Sequence, residues 1–318
     1  MDLSRTCLHS FGEKLKILVT GGLGFIGSYI VDELVNRGYE VNVLDNLSSG
    51  FWENKNTSSL VTYFIGDVRS KSDVEWAAED AEIIFHLAEY IPNQIGHVMK
   101  SSLKDPMADL LVSTGGTLNV LEVAKNLNAH VIFTSTVSVY GDYEQQISED
   151  FPTRPISAYG VAKLAAEEYC RYYNRVFHIP VTIFRCFTIY GDRQKKYIMY
   201  DVIQKLLADP NHLELIGDGQ EKRDYTYITD AIAQMFYHLS SQTDSYALHN
   251  IGTGKVTSTD EVVAMICEEM GLNPAITHTG KWTGNAQTIV SNNKVVAIPV
   301  KEGIKRLVTK LKVRRSPY

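Results

Sequence analysis

The chain has 318 residues, of which 44% are hydrophobic and 21% are charged, and its formal net charge is −6. This composition is typical of an ordinary globular protein with one large domain, or with a main domain and a smaller lobe. The negative charge provides no general attraction to nucleic acid or to an anionic membrane, so neither is expected as a partner. Positions 1–14 lack the apolar core of a signal peptide, and no apolar run reaches about 18 residues, which makes the cytoplasm the expected compartment.

The cysteines and histidines show no pattern of a disulfide framework or a metal site. Cys7, Cys170, Cys186 and Cys267 are scattered and include no C-x-x-C pair, which predicts reduced thiols. The histidines contain no ligand-like cluster such as H-E-x-x-H, so no metal is expected. The basic stretch at 301–315 predicts a solvated helix face that runs into a tail, and not a nucleic-acid arm.

Short β-rich runs and helical segments alternate through the first 185 residues. The predicted strands are Lys16–Thr20, Glu40–Leu44, Thr62–Ile65, Ile83–Leu87, His130–Thr134 and Pro180–Arg185, and the predicted helices are Ile26–Arg37, Leu110–Leu127 and Ala158–Phe177. Such alternation predicts an α/β fold, a Rossmann-type doubly wound parallel sheet with helices on both faces.

The second half is less regular and predicts a smaller lobe. Helices are predicted near Tyr200–Ala208, Thr229–Leu239 and Thr259–Met270, with a glycine turn at 217–219. We therefore expect an N-terminal extension at 1–14 and a main Rossmann domain at 15–185. Residues 186–318 are expected to form mainly a C-terminal α/β substrate lobe, with some segments returning to the main domain.

A glycine-rich turn follows the first strand in the run Thr20-Gly21-Gly22-Leu23-Gly24-Phe25-Ile26-Gly27. At this G-x-x-G-x-x-G spacing, the early glycines let the backbone turn and approach a pyrophosphate, and the last lets the helix pack closely on the strand. The amides and positive dipole at the helix N-terminus then face the anion. Because a strand precedes the turn and a helix follows it, the pattern predicts a dinucleotide site.

An acidic residue downstream selects among dinucleotides. Asp45 ends the second strand, where its carboxylate can accept hydrogen bonds from ribose hydroxyls and repel a 2′-phosphate, so NAD is expected rather than NADP. Asp67 and Val68 can frame the adenine, although a surface aspartate in a turn is the alternative. The expected cofactor contacts are Gly21, Leu23, Gly24, Phe25, Ile26, Gly27, Asp45, Asn46, Asp67, Val68, Leu87, Ala88, Thr134, Tyr159 and Lys163.

Three side chains carry the candidate chemistry. Tyr159 and Lys163 are four residues apart, so they share one face of the predicted helix. An ammonium group beside a phenol favours the phenolate and lowers the tyrosine pKa. Thr136 leaves the carboxyl end of a central strand, where it can bond the reacting oxygen and share its proton with Tyr159. Each feature alone is weak, and their combination predicts acid–base and hydride chemistry at a carbinol or ketone.

Together these motifs resemble the extended short-chain dehydrogenase/reductase family, in particular its nucleotide-sugar epimerases of the UDP-glucose 4-epimerase type. The matching stretches are TGGLGFIGS (20–28), LDNLSSG (44–50), GDV (66–68), HLAE (86–89), TSTVSVYGD (134–142), YGVAK (159–163), RCFTIYGDRQ (185–194) and GDGQEKRDYTYITD (217–230). They span nearly the whole chain in the family's order.

The resemblance implies a role for each catalytic residue. Tyr159 is expected to be the catalytic base, Lys163 its partner and ribose anchor, and Thr136 the partner of the substrate hydroxyl. Oxidation of the sugar at C4 by NAD and re-reduction of the 4-keto sugar would give epimerisation without net consumption of the cofactor. Family members commonly form homodimers through two long helices, here 110–127 and 158–177.

The expected substrate-binding residues are Thr136, Thr188, Arg223 and Lys281, with the Arg223 guanidinium holding the substrate diphosphate. Thr188 replaces a family asparagine, and Lys281 stands where an arginine is common. Glu89 replaces an alanine that commonly follows the HLA motif, and Ser113 replaces a frequent asparagine. These departures suggest a divergent member, with base and sugar open.

The family's dehydratases carry an Asp-Glu pair directly after the threonine, and its decarboxylases keep the glutamate. This chain has Val137 and Ser138 there, which leaves no evident proton carrier for elimination. Two alternatives to the epimerase remain open. One is a nucleotide-sugar 4-ketoreductase or C4 dehydrogenase with net redox, and the other is a non-catalytic NAD-binding regulator.

Overall fold

The computed structural model describes residues 15–90, 105–143, 145–280, 288–293 and 295–313. The predicted extension at 1–14 lies outside the described residues. Among those residues, no helix has both the length and the apolar character needed to cross a membrane. Within the same ranges, no group of three or more His, Cys, Asp or Glu side chains is arranged to hold a metal ion.

A seven-stranded parallel sheet forms the centre of the fold. Its strands are β1 (Lys16–Thr20), β2 (Glu40–Asp45), β3 (Val61–Ile65), β4 (Ile83–His86), β5 (His130–Thr136), β6 (Val181–Cys186) and β11 (Tyr246–Ile251). Their order is β11-β6-β5-β4-β1-β2-β3, so the direction of chain progression reverses between β1 and β4. Ligands of open α/β sheets bind at such a reversal, beyond the carboxyl ends of the strands.

Helices cover both faces of this sheet. One face packs under α1 (Phe25–Asn36) and α7 (Ile228–Ser241), and the other packs under α2 (Lys71–Ala77), α4 (Thr117–Leu127) and α5 (Ala158–Phe177). Successive side chains of a strand point to opposite faces, so Ile17 and Val19 belong to the first core cluster and Leu18 to the second. The continuous apolar strands of the sequence therefore reflect burial on both sides.

The second half of the chain adds small sheets and helices beside the central sheet. Its strands are β7 (Thr188–Tyr190), β8 (His212–Leu215), β9 (Lys222–Arg223), β10 (Tyr225–Tyr227), β12 (Thr257–Ser258), β13 (Ala275–His278) and β14 (Thr288–Ile289). The helices α6 (Tyr197–Ala208), α8 (Thr259–Met270) and α9 (Val300–Val313) complete it. Strand β9 pairs with β12 and β14, which fixes the backbone of Arg223 from both sides.

The expected α/β fold is confirmed, and most predicted elements lie within one to three residues of the observed ones. The predicted helix 110–127 differs, because α3 (Pro106–Asp109) precedes it and Leu110–Gly116 has π-helical geometry before α4 begins. The sequence prediction missed α2, which Ser70 caps by accepting a hydrogen bond from the amide of Asp73 at 3.3 Å. It also missed β11, a half-polar strand at the edge of the sheet.

Candidate active site

A crevice of about 1150 Å³ lies at the carboxyl ends of the central strands, where the strand order reverses. Its volume exceeds the roughly 300–1,000 Å³ that is typical of pockets for single drug-sized ligands. The glycine turn lines one side, and the beginnings of α5 and α6 line the other. This place follows from the topology of the sheet, because the loops after β1 and β4 leave in opposite directions there.

The glycine turn builds a site for an anion. Gly21 has a φ of +70°, and a Cβ atom there would lie 2.9 Å from the backbone nitrogen of Ala88. A Cβ atom on Gly27 would collide with the carbonyl oxygen of Gly21, so the close approach of α1 requires glycine. Helix α1 begins at Phe25 without a side-chain cap, and Gly24, Phe25 and Ile26 line the crevice. Its first amides therefore point toward a ligand, which fits a pyrophosphate.

Asp45 closes the turn from the end of β2. Its Oδ2 accepts a hydrogen bond from the amide of Leu23 at 3.0 Å, and its Oδ1 accepts one from Leu47 at 2.8 Å. Burial raises the pKa of this carboxyl, although both hydrogen bonds oppose that effect. The Leu23 side chain is fully buried in the core, so Leu23 contributes its backbone to the turn. Asp45 itself lines the crevice, as a ribose ligand must.

Asn46 and Asp67 meet beyond Asp45 at the same end of the crevice. The Nδ2 of Asn46 donates to Oδ2 of Asp67 at 2.8 Å. Arg69 hydrogen-bonds the same carboxylate and lowers the pKa of Asp67 to about 2. Val68, Leu87, Ala88 and Thr134 also line the crevice. The expected cofactor residues other than Leu23 thus all line the crevice.

Tyr159 and Thr136 meet at the other end. Ser157 caps α5 by accepting from the amide of Gly160 at 3.1 Å, which places Tyr159 on the first turn, at the crevice. A hydrogen bond joins the Thr136 hydroxyl to the Tyr159 phenol. Burial, and next the Glu89 carboxylate, raise the pKa of Tyr159 well above its usual value. The pKa of Tyr159 is therefore raised, whereas Lys163 alone predicts a lowered pKa.

Lys163 forms a buried ion pair with Glu89. The lysine Nζ lies 2.6 Å from Oε2 of Glu89, and the two side chains are 3% and 8% exposed. This oxygen has no aligned hydrogen-bond donor among the described residues, so the contact is chiefly a charge–charge interaction. The other oxygen, Oε1, accepts from the Ser113 hydroxyl and from the amide of Tyr90. Ser113 belongs to the π-helical segment, a geometry that is frequent at functional sites.

His86 lies near this pair and is neutral. The hydroxyl of Thr117 donates to the Ser113 carbonyl at 2.5 Å and so accepts from Nε2 of His86 at 3.1 Å. The other ring nitrogen, Nδ1, then accepts from Thr20 at 2.8 Å. Burial, followed by the charge of Lys163, lowers the pKa of His86 to about 3. The imidazole therefore adds no positive charge next to Lys163.

The candidate substrate residues occupy the side of the crevice that the second half of the chain forms. Arg223 and Thr188 both line it. Burial lowers the pKa of the Arg223 guanidinium, and its Nη1 donates to the carbonyl of Lys222 at 2.9 Å. The next residue, Asp224, is fully buried and accepts from the amides of Thr253 and Gly254. This anchor holds the short strand that carries Arg223. Lys281 lies outside the described residues.

A segment after β7 reaches across the crevice to the glycine-turn side. Arg193 pairs with Asp32 of α1 at 2.5 Å, and its guanidinium lies 4.4 Å from the Tyr29 ring. Lys195 pairs with Glu53 at 2.9 Å and lies 3.7 Å from the Phe51 ring. These contacts join the segment after β7 to the glycine-turn side of the crevice.

Comparison with known proteins agrees with this geometry. The model of the NAD dependent epimerase/dehydratase family matches residues 17–252. The chain belongs to this family. It is 33% identical over 312 residues to a putative UDP-glucose 4-epimerase of Methanocaldococcus jannaschii, with 93% of this chain and 98% of the relative covered. It is also 33% identical over 269 residues to the UDP-glucose 4-epimerase of Mycolicibacterium smegmatis, covering 81% of this chain and 83% of the relative.

A solved structure extends the likeness to three dimensions. The UDP-glucose 4-epimerase of Thermus thermophilus, in complex with NAD, superposes with a TM-score of 0.83 at 29% identity. The match covers 94% of this chain and 99% of that one. The expected NAD cofactor is thereby confirmed at the level of the family. The uncapped helix amides, the glycine turn and the Asp45 carboxylate fit it.

Two further residues lie at the active site of this epimerase/dehydratase family member. The sequence prediction did not assign either of them to the site. Glu89 was predicted only as a departure from the family pattern that adds a carboxylate close to the adenine or nicotinamide, and its contact with Lys163 joins two distant parts of the chain. Tyr197 begins α6 with a φ of +71°, a strained geometry for a bulky residue, and lines the crevice. Its phenol couples electrostatically to Tyr159.

Proposed function

We propose that this protein is an NAD-dependent epimerase that inverts C4 of a nucleotide-diphosphate sugar. One observation carries the proposal. The Thr136–Tyr159 hydrogen bond and Lys163 lie at one end of a crevice whose other end holds the glycine turn and Asp45. An acid–base group therefore shares one cavity with a dinucleotide site, as oxidation of a carbinol requires.

The chain's own residues supply the proton chemistry. NAD, when bound, supplies the acceptor and then the donor of a hydride. Tyr159, as phenolate, takes the proton of the C4 hydroxyl and returns it when the 4-keto sugar is reduced on its other face. Thr136 bonds the same oxygen and orients it toward Tyr159. The two half-reactions cancel in electrons and protons, so the net result is an epimer.

Positioning is divided between the two parts of the chain. Residues 15–185 hold the cofactor with Gly21, Asp45 and the helix α1 amides, and Lys163 anchors the ribose. Residues 186–318 hold mainly the substrate, with Arg223 on the diphosphate and Thr188 near the sugar or nucleotide, and Lys281 stays a predicted substrate ligand. The paired backbone of Arg223 and the hydrogen bond from its Nη1 to the Lys222 carbonyl support this role, because a preorganised guanidinium loses little entropy on binding.

The residues after Thr136 do not suit elimination or decarboxylation. Val137 is buried and apolar, and the Ser138 hydroxyl accepts from Thr136 at 3.2 Å. Neither position supplies a carboxyl group to move a proton at C5 or C6. Tyr159 and Thr136 are thus left to serve the C4 oxygen alone.

A turnover screen tests the function. The protein is incubated with UDP-, GDP-, CDP- and dTDP-sugars, and the products are identified by NMR. The proposal expects a C4 epimer without added cofactor beyond a catalytic amount of NAD. A stoichiometric absorbance change at 340 nm would instead identify a net ketoreductase or dehydrogenase. Binding of NAD without any turnover would favour the regulator.

We also propose a homodimer that works in the cytoplasm. Leu110 and Leu111 of the π-helical segment are 46% and 49% exposed, and Tyr172 of the neighbouring α5 is 44% exposed. A joint apolar face of this kind supports pairing of the two helices with a second copy. Leu164, in contrast, packs against an internal cluster around Tyr140. The buried, unpaired thiols of Cys170, Cys186 and Cys267 suit a reducing compartment.

A further inference from the structure

Glu89 is held by three separate elements at the catalytic end of the crevice. It follows β4, and its Oε2 lies 2.6 Å from Nζ of Lys163 on α5. Its Oε1 accepts from the Ser113 hydroxyl of the π-helical segment and from the amide of Tyr90 at 2.9 Å. That segment is tied to α5, because the Thr114 hydroxyl donates to the carbonyl of Ala162 at 2.9 Å. The carboxylate is therefore both buried and oriented.

The charges around this pair leave Glu89 as the counter-ion of Lys163. His86 is neutral, and one helical turn beyond Lys163 the Glu167 carboxylate is engaged by Arg185 at 2.6 Å. The other titratable groups that interact with Lys163 or with Tyr159 are protonated and neutral near pH 7, because burial raises their pKa values: Tyr197, Cys170 and Cys186. Nζ also lies 4.4 Å from the centroid of the Phe133 ring, which attracts the ammonium group without neutralising its charge.

We propose that Glu89 is a positioning residue that acts through Lys163, holding the ammonium group in place and neutralising its charge beside the nicotinamide end of the crevice. This inference rests on the proposed function, because that function determines which end of the crevice the nicotinamide of NAD occupies. It differs from the family pattern described above, in which an alanine, without a carboxylate, commonly follows the HLA motif.

The first consequence concerns the two redox forms of the cofactor. The oxidised nicotinamide ring carries a positive charge that the reduced ring lacks. An uncompensated ammonium group nearby repels only the oxidised form, so a neutral Glu89–Lys163 pair favours NAD⁺ over NADH. Removal of the Glu89 charge should therefore raise the ratio of the dissociation constants of NAD⁺ and NADH.

The second consequence concerns the base. The Glu89 carboxylate raises the pKa of Tyr159, second only to burial. Tyr159 accepts a proton only when it is ionised, so activity rises with pH through this pKa. Loss of the Glu89 charge lowers the pKa and moves the acid limb of the pH–rate profile to lower pH. A shift of about one pH unit is the expected scale for one neighbouring charge.

The test compares Glu89→Gln with Glu82→Gln. Glu82 precedes β4 at the opposite end of the same strand and is exposed, so the control makes an identical chemical change far from Lys163. Cofactor-free protein is titrated with NAD⁺ and with NADH by calorimetry or by NADH fluorescence, without any sugar. We expect Glu89→Gln to raise the NAD⁺/NADH dissociation-constant ratio by about tenfold. Glu82→Gln should leave the ratio at the wild-type value.

An unchanged ratio in Glu89→Gln, together with an unshifted acid limb, overturns the inference. Should Glu89→Gln fail to fold, Ser113→Ala decides the question. It removes the hydroxyl that orients Glu89 and must raise the ratio about two- to threefold in the same direction, and no change overturns the inference. If wild-type protein binds both cofactor forms but converts no nucleotide sugar, the proposed function fails and the binding ratio still tests the role of Glu89.

Discussion

The carboxylate of Glu167 and the guanidinium of Arg185 form a buried ion pair, in which Nη2 lies 2.6 Å from Oε2. The side chains are 0% and 3% exposed. Ser135 adds a hydrogen bond to Oε1 at 2.5 Å, so the pair joins β5, β6 and α5. Since α5 carries Tyr159 and Lys163, this network fixes the catalytic helix on the central sheet.

Replacement of Glu167 by alanine should strongly destabilise the protein. The change leaves Arg185 buried without its partner, which typically lowers the free energy of unfolding by about 3–5 kcal/mol. Glu168→Ala is the matched control, because Glu168 is exposed and pairs with Arg171 at the surface. That variant should lose less than about 1 kcal/mol. Urea unfolding measures both, and equal losses would contradict the structural role of Glu167.

His86 should make stability depend on pH. Its folded pKa is about 3, below the unfolded value of about 6.5, so the folded state binds fewer protons between these values. Its contribution is therefore complete above about pH 6.5 and is lost as the pH falls toward 3, by about 1.4 kcal/mol per pH unit.

The measurement compares the slopes of unfolding free energy against pH for two variants. Between about pH 4.5 and 6, His86→Asn should reduce this slope by the amount that corresponds to about one bound proton. His212→Asn replaces a histidine whose side chain is 75% exposed and should keep the wild-type slope. A wild-type slope in His86→Asn would show that the buried imidazole is not the group that titrates.

The structure brings together the cofactor residues that local patterns predict. The glycine turn, the start of α1 and Asp45 lie within one β–α–β unit, so their relative positions follow from short-range rules. The Tyr159–Lys163 spacing is equally local, because a single helix carries both residues. These features are visible in the sequence because the backbone alone places them.

Contacts between distant segments were not predictable in the same way. Glu89 and Ser113 meet only because the residues after β4 pass beside the middle of the π-helical segment, and no periodicity marks the change from π- to α-helix at Thr117. The raised pKa of Tyr159 depends on burial and on Glu89, neither of which the spacing contains. Strand β11 was missed because edge strands carry half-polar patterns.

Tyr159→Phe should abolish most of the activity while the cofactor still binds. The phenylalanine ring fills the same space without the acid–base hydroxyl, and such groups contribute about 10²- to 10⁴-fold to rate. Tyr169→Phe is the control, since Tyr169 lies on the same helix and is 40% exposed. Steady-state epimerisation and NAD calorimetry are compared. Turnover near the wild-type rate in Tyr159→Phe would rule out the proposed base.

Asp45→Asn should weaken the preference for NAD over NADP. Neutralisation removes the repulsion of a 2′-phosphate and leaves the amide of Leu23 or Leu47 without its acceptor. We expect the ratio of NADP to NAD dissociation constants to fall by about tenfold. Asp209→Asn, in an exposed turn, controls for the change in net charge. An unaltered ratio would indicate that Asp45 does not face the adenosine ribose.

Tyr172→Glu should convert the proposed dimer into a monomer. Tyr172 lies on the exposed apolar face of α5 with Val161, Tyr169 and Val176, which helical spacing brings to one side. In a face that pairs with the same face of a second copy, both copies would bury this carboxylate at the interface.

Light scattering gives the mass of each variant. The wild-type protein should show twice the 35.7 kDa mass of the chain, and Tyr172→Glu should show that mass once. Tyr237→Glu makes the same change on α7, where Tyr237 is 68% exposed, and should stay dimeric. Dissociation of both variants would place the interface elsewhere or show a general loss of structure. A monomeric wild-type protein would exclude the pairing, because the apolar face would then be exposed in solution.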